Sequence, residues 1–234
     1  MDRKTLFAAL LYAATSAVPA QTQNMPSNLS EHCFEISENR NIAMQEVATT
    51  PGQFLKDSKN SGVESAINGT YFGGKDPRHF RPEGIAYLAD GNQFADGNLR
   101  YVRGFFTVSK DGKQINISET LDGRLSNYWL VIGTHPLLVA DSKINSQSQE
   151  TRYASTGLRS AIGTKNGRNI CFAVSENELT MAQWAERLQN SRYKGAINLD
   201  GGPISQMAVR ENGNIKIKGQ GKSPTRLVIF EYKK

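Results

Sequence analysis

The chain has 234 residues and a formal net charge of +6, long enough to bury a substantial core as one large domain or two small ones. Its positive charge is dispersed apart from Lys233-Lys234, with no basic stretch interleaved with aromatics and no zinc-finger spacing, which argues against nucleic acid as a partner. Two cysteines and three histidines (His32, His79, His135) lack metal-ligand spacing, so no cofactor is indicated. Asp76, Asp90 and Asp200 could contribute to a divalent site, but their spacing matches no metal loop.

Arg3 and Lys4 precede the apolar run Leu6–Ala17, and Val18-Pro19-Ala20 supplies small residues for cleavage. This pattern predicts a secretory signal over 1–20, hence a secreted or periplasmic protein. The run is too short to span a bilayer, and no later stretch is long enough. Residues 21–31 read as a loose polar leader and 32–234 as a single domain.

Strands are expected at His32–Ser37, Asn39–Val47 and Val63–Ile67, with a short helix over Gln53–Lys59. Residues 73–82, rich in Gly, Pro and charge, read as a surface loop. Gly84–Leu88 is the next strand. Gly104–Ser109 and Gln114–Ser118 alternate around Lys110-Asp111-Gly112, a hairpin signal. Tyr128–Ile132 and Leu137–Ala140 follow, and the polar segment 141–157 reads as a long functional or disordered loop. Arg159–Thr164 and Ile170–Val174 flank Asn166-Gly167. A helix is predicted over Thr180–Asn190: Thr180 and Gln183 form a capping box, and Met181, Trp184, Ala185 and Leu188 make one apolar stripe. Strands at Ile204–Val209, Asn214–Ile217 and Arg226–Tyr232 close the chain. The expected fold is α+β, a mixed, mainly antiparallel twisted sheet with a few packed helices. Cys33 and Cys171 fall in strands, as a disulfide or as two buried thiols.

The most informative stretch is Gly195-Ala-Ile-Asn-Leu-Asp-Gly-Gly-Pro-Ile-Ser-Gln-Met207. Strand alternation places Ile197 and Leu199 on a core face, with Asn198 and Asp200 opposite. Gly201 and Gly202 can take positive φ and turn backbone N–H groups toward an anion or a sugar oxygen. Asp-Gly between apolar runs is equally an ordinary hairpin turn.

Two further segments join this one in a pattern: Ala66-Ile-Asn-Gly-Thr-Tyr-Phe72, followed by Arg81-Pro-Glu-Gly-Ile85, and Leu158-Arg-Ser-Ala-Ile-Gly163. With Asn198-Leu-Asp-Gly-Gly-Pro-Ile-Ser205 they resemble the phosphodiester glycosidase family, whose animal representative is the lysosomal uncovering enzyme. The chain looks nearest to its small secreted bacterial members. The resemblance spans roughly residues 60 to 210. The chain departs from it at Pro203-Ile204, which lengthens the link to Ser205, and at His135, where many members have glycine.

The resemblance implies hydrolysis of the bond between an anomeric carbon and a phosphodiester oxygen. A phosphodiester is already a good anionic leaving group, so charge stabilisation matters more than a strong general acid. Arg159 is then expected on the phosphate and Asp200 as base or charge stabiliser. Asn68 is expected on a sugar hydroxyl or phosphate oxygen, with capping of its own turn as the plainer alternative. Gly69, Gly201, Gly202 and Ser205 would contact substrate, and Glu83 and His79 could titrate near the phosphate. Tyr71 and Phe72 could stack on a sugar, though core packing is the default. The partner implied is a phosphorylated carbohydrate or glycan. The alternative is a non-catalytic envelope protein that binds phosphorylated glycans or exopolysaccharide. Oligomeric state is left open.

Overall fold

The structure is a computed structural model that describes residues 29–73, 81–95 and 99–233. The expected signal, most of the leader, Asp76 and His79 lie outside the described residues.

In chain order the elements begin with β1 (Leu29–Glu35), β2 (Arg40–Thr49), a short α1 (Pro51–Lys56) and β3 (Val63–Asn68). Two-residue strands β4 (Phe72–Gly73) and β5 (Arg81–Pro82) precede β6 (Ile85–Leu88), β7 (Gly104–Ser109), β8 (Ile115–Ser118) and β9 (Tyr128–Thr134). Next come β10 (Leu137–Ala140), β11 (Lys143–Ile144), β12 (Ser160–Thr164), β13 (Asn169–Ser175), α2 (Met181–Asn190) and β14 (Gly195–Asn198). The chain ends through β15 (Met207–Glu211), β16 (Asn214–Lys218) and β17 (Thr225–Lys233).

These strands form a six-stranded sheet in the order β1-β13-β12-β14-β10-β11, a five-stranded sheet β16-β15-β3-β17-β2, a four-stranded sheet β6-β9-β7-β8 and the ribbon β4-β5. Every pairing among the described strands is antiparallel, so the expected mixed sheet is corrected to several wholly antiparallel ones. The fold is mostly β with few helices, because the apolar pattern alternates with period two nearly throughout.

One core is shared by the three larger sheets. Phe172, Ile162 and Ile197 of the six-stranded sheet meet Ile42, Ile67 and Ile229 of the five-stranded sheet and Phe106 and Ile132 of the four-stranded one. Alternate residues face the other way. Ala161, Cys171, Ala173 and Ala196 pack under α2, where Trp184, Met181, Ala185 and Leu188 are buried. The predicted capping box is present, with Thr180 and Gln183 hydrogen-bonded reciprocally. Phe54 and Leu55 of α1 cover Val63, Ala66, Ala208 and Val228 on the outer face of the five-stranded sheet.

Cys33 and Cys171 lie directly across the β1–β13 ladder and form a disulfide, which settles that alternative. Next to it the two larger sheets are clasped. His32 Nε2 of β1 lies 2.7 Å from the fully buried carboxylate of Glu231 on β17, which also accepts from Ser65 Oγ at 2.8 Å and sits 3.4 Å from Arg40 Nε. Burial pushes the Glu231 carboxyl up, but hydrogen bonds from His32 and Ser65 and the nearby cations hold it below its ordinary value.

The segment 141–157, read as functional or disordered, is ordered. Residues 146–149 and 151–153 form 3₁₀ turns, and buried Gln147 accepts from Leu137 N–H and donates to the Arg103 carbonyl. Its polar side chains supply backbone partners from within, which is why a sequence poor in apolar anchors still holds one shape.

Candidate active site

The three motifs converge where two sheets meet. β14 leaves the six-stranded sheet at Asn198 and, after a 3₁₀ turn over Gly202–Ile204, re-emerges as β15 of the five-stranded sheet. Asp200-Gly201 is therefore a sheet-to-sheet link, not a hairpin turn. On one side Asp200 N–H donates to the Gly69 carbonyl. On the other, Leu199 N–H donates to Ser160 and Gly202 N–H to Leu158. As the alternation predicts, Ile197 and Leu199 both enter the shared core.

Asn68, at the end of β3, holds this junction. Its Oδ1 accepts from Ser160 Oγ (2.7 Å) and Gln206 N–H (3.2 Å), and its Nδ2 donates to the Asp200 carbonyl (2.7 Å). The side chain is fully buried and spent on protein groups, so the expected contact with a ligand is replaced by a clamp on the Asp200 link.

Asp200 is half-buried, and its Oδ1 accepts from Gly201 N–H at 2.7 Å. Burial drives its carboxyl up and the charge of Glu83 adds to this, against the opposing Gly201 hydrogen bond; the outcome is about 7. Arg159 precedes β12 and is also half-buried. Its Nε donates to the Leu179 carbonyl at 2.8 Å and its Nη2 to the Ser155 carbonyl. Nη1 has no hydrogen-bond partner among the described residues, and a methyl group built on Gly201 would lie 3.9 Å from it. Burial works against the guanidinium charge, partly offset by Tyr71 and Glu178.

Tyr71 lies within electrostatic reach of both. Burial raises its phenol far above the ordinary range, the Asp200 charge adds to this and Arg159 opposes it. Its hydroxyl accepts from Asn198 Nδ2 at 2.6 Å. One face of its ring is stacked on His135, centroids 4.5 Å apart and planes within 6°. His135 Nδ1 lies 3.1 Å from the Tyr153 hydroxyl, and burial, then Arg103, lowers the imidazole pKa. A narrow crevice beside this stack is lined by Tyr71, Glu83, Gly84, Val102, Thr134 and His135.

The remaining expected residues divide. Glu83 is half-buried at the crevice, its N–H donating to the Tyr71 carbonyl. Ser205 is buried, and its Oγ, about as near to Gly201 as Arg159 Nη1 is, has no partner among the described residues. Gly202 adopts φ +64° with open space around a would-be Cβ, so this position does need glycine. Gly201 is extended at φ −121° and does not take the expected positive φ. Gly69 is needed for packing, because a Cβ there would meet the Leu227 side chain at 2.7 Å. The N–H groups of Gly69, Gly201 and Gly202 are all taken by protein acceptors, so the expected backbone cradle is absent at these three. The donors left uncommitted at this junction are Arg159 Nη1 and the Tyr71 hydroxyl. Among the described residues no three His, Cys, Asp or Glu side chains converge as metal ligands.

Sequence reasoning missed Asn198 and Tyr153, which position Tyr71 and His135. Asn198 could have been found, since strand alternation already placed it beside Asp200.

The phosphodiester glycosidase family matches residues 61–230. A search of curated proteins finds no match. Among solved structures, the chain is similar to the catalytic domain of zebrafish N-acetylglucosamine-1-phosphodiester alpha-N-acetylglucosaminidase, auto-inhibited by its pro-peptide. That match has a TM-score of 0.63 and 17% identity, over 91% of this chain and 85% of that one. A hypothetical protein from Synechocystis matches with TM-score 0.52 and 13% identity, over 89% of this chain and 57% of that one. A putative exported protein from Burkholderia pseudomallei K96243 matches with TM-score 0.51 and 12% identity, over 86% and 73%. These identities establish a shared fold, and the family match, covering most of the chain and all three motifs, shows that the protein belongs to the phosphodiester glycosidase family.

Proposed function

We propose that the protein hydrolyses the bond between a sugar's anomeric carbon and a phosphodiester oxygen in a phosphorylated glycan outside the cytoplasm. The observation that carries this reading is the meeting of the three motifs at one sheet junction, where a half-buried carboxylate at about 7 and a guanidinium whose Nη1 is uncommitted both act on Tyr71. Backbone carbonyls, not carboxylates, hold the other two nitrogens of Arg159, so its charge is left for an anion. Nη1 would bind the phosphate and stabilise the departing phosphate monoester.

Ionised Asp200 would take a proton from attacking water or balance positive charge at the anomeric carbon. A carboxyl near 7 is basic enough to accept a proton and still substantially ionised at neutral pH. Asn68, through Ser160, Gln206 and the Asp200 carbonyl, fixes where that carboxylate points. Tyr71 would donate to a substrate oxygen. Export is supported by the Cys33–Cys171 disulfide, by the expected signal, and by the likeness to an exported protein.

The test is incubation of the purified protein with a set of sugar-1-phosphodiesters, scoring free reducing sugar and phosphate monoester. Release that disappears in both Arg159→Ala and Asp200→Asn is the expected result. Saturable binding without release would make the protein a phosphoglycan-binding module instead.

A further inference from the structure

The aromatic stack at the cleft leads outward to a second cationic surface. Tyr71 stacks on His135 at 4.5 Å, the His135 and Tyr153 ring centres are 6.0 Å apart, and Arg152 Cζ lies 4.9 Å over the Tyr153 ring. Beyond it is an open depression lined by Arg100, Arg103, Glu150, Thr151 and Arg152. Glu150 accepts from Arg103 Nη1 at 2.5 Å and its other oxygen is ion-paired with Arg152 Nη2 at 2.8 Å, so one carboxylate holds two guanidiniums. Two arginines, Arg103 and Arg152, share this one glutamate and so leave net positive charge at the trio. Arg103 is anchored further by its backbone, its N–H donating to Thr134 and its carbonyl accepting from buried Gln147. The planar guanidinium matches a phosphate in both shape and charge, and the Thr151 hydroxyl adds a neutral donor.

We infer that this depression is a second anion subsite that takes another phosphate of a multiply phosphorylated substrate. The catalytic consequence rests on the proposed hydrolase reading, whereas the binding consequence does not. The substrate class is thereby narrowed to glycans with phosphates in series rather than a single isolated diester. The 3₁₀ turns over 146–149 and 151–153 give the subsite a reason to be ordered: they present Glu150, Thr151 and Arg152 together.

The test compares a sugar-1-phosphodiester bearing a terminal phosphate monoester on its aglycone with the same compound bearing a hydroxyl there. At low salt the wild type should prefer the phosphorylated compound by about fivefold in kcat/KM, mostly through KM, and this ratio should shrink with added salt. Arg152→Gln, its fold checked by circular dichroism, should bring the ratio close to one. A wild type without preference, or an unchanged ratio in the variant, overturns the inference. If neither compound is cleaved, the hydrolase reading fails separately, and calorimetric titration with inorganic tripolyphosphate decides the subsite. Binding about fivefold weaker in Arg152→Gln supports it, and equal affinity or no binding overturns it.

Discussion

Two carboxylates withdrawn from water, Asp200 and Glu231, have opposite fates. Glu231 is fully buried but is met by His32, Ser65 and Arg40, and its carboxyl is held below the ordinary range. Asp200 is less buried, yet the one side-chain hydrogen bond it accepts among the described residues comes from Gly201 N–H, and Glu83 adds repulsion, so its carboxyl rises to about 7. Burial sets the scale of the shift, and the company the group keeps sets its sign. The first arrangement suits a clasp between sheets and the second suits a group that must exchange protons.

Replacing Asp200 by Asn gives the largest expected effect on this contrast. Turnover of a sugar-1-phosphodiester should fall about 10³-fold, roughly 4 kcal/mol of barrier, measured by steady-state release of reducing sugar. Stability should move the other way. A carboxyl raised in the folded state binds more protons folded than unfolded, so wild-type stability falls as pH climbs from about 4 to about 7. Asp200→Asn should lack that loss and melt higher than wild type at pH 8.

Glu231→Ala reverses the pattern. It strips His32 and Arg40 of their shared partner and should cost about 2 kcal/mol in denaturant unfolding, less than a fully buried pair because both partners are partly exposed. Activity per folded molecule should be unchanged. Because the Glu231 carboxyl is depressed, its contribution is present above its ordinary value and fades as pH falls below it.

The pH profile of kcat/KM sharpens the comparison further. With ionised Asp200 as the working form, rates should rise about tenfold per unit on the acid side and level off above pH 7. A profile that instead falls above 7 would assign the protonated carboxyl as the active form. The smallest effect is expected from Tyr71→Phe, a loss of a few-fold in rate, since the His135 stack persists and one hydrogen bond of about 1 kcal/mol is removed.

Local signals were legible in the chain. The Thr180/Gln183 box and the Met181–Leu188 stripe are decided within one helix, and the turns at Lys110–Gly112 and Asn166-Gly167 within one hairpin. Positions 68, 159 and 200 were legible as a group, but not what each side chain does. Asn68 turns inward because Ser160 and Gln206, 92 and 138 residues away, come to meet it. Gly69 is glycine because of Leu227, far along the chain. Glu231 was readable in principle: it shares strand parity with buried Leu227 and Ile229, so a charge there demanded a partner. Which partner depended on β1 docking beside β13, and no local pattern encodes that.

Residues 199–206 depart from one sheet and arrive in another, so the reacting geometry belongs to two bodies at once. In the proposed reaction, a misplacement of about 1 Å at this link would slow turnover about a hundredfold. Mild warming should therefore dim turnover reversibly while the spectroscopic signature of folded strands is still intact.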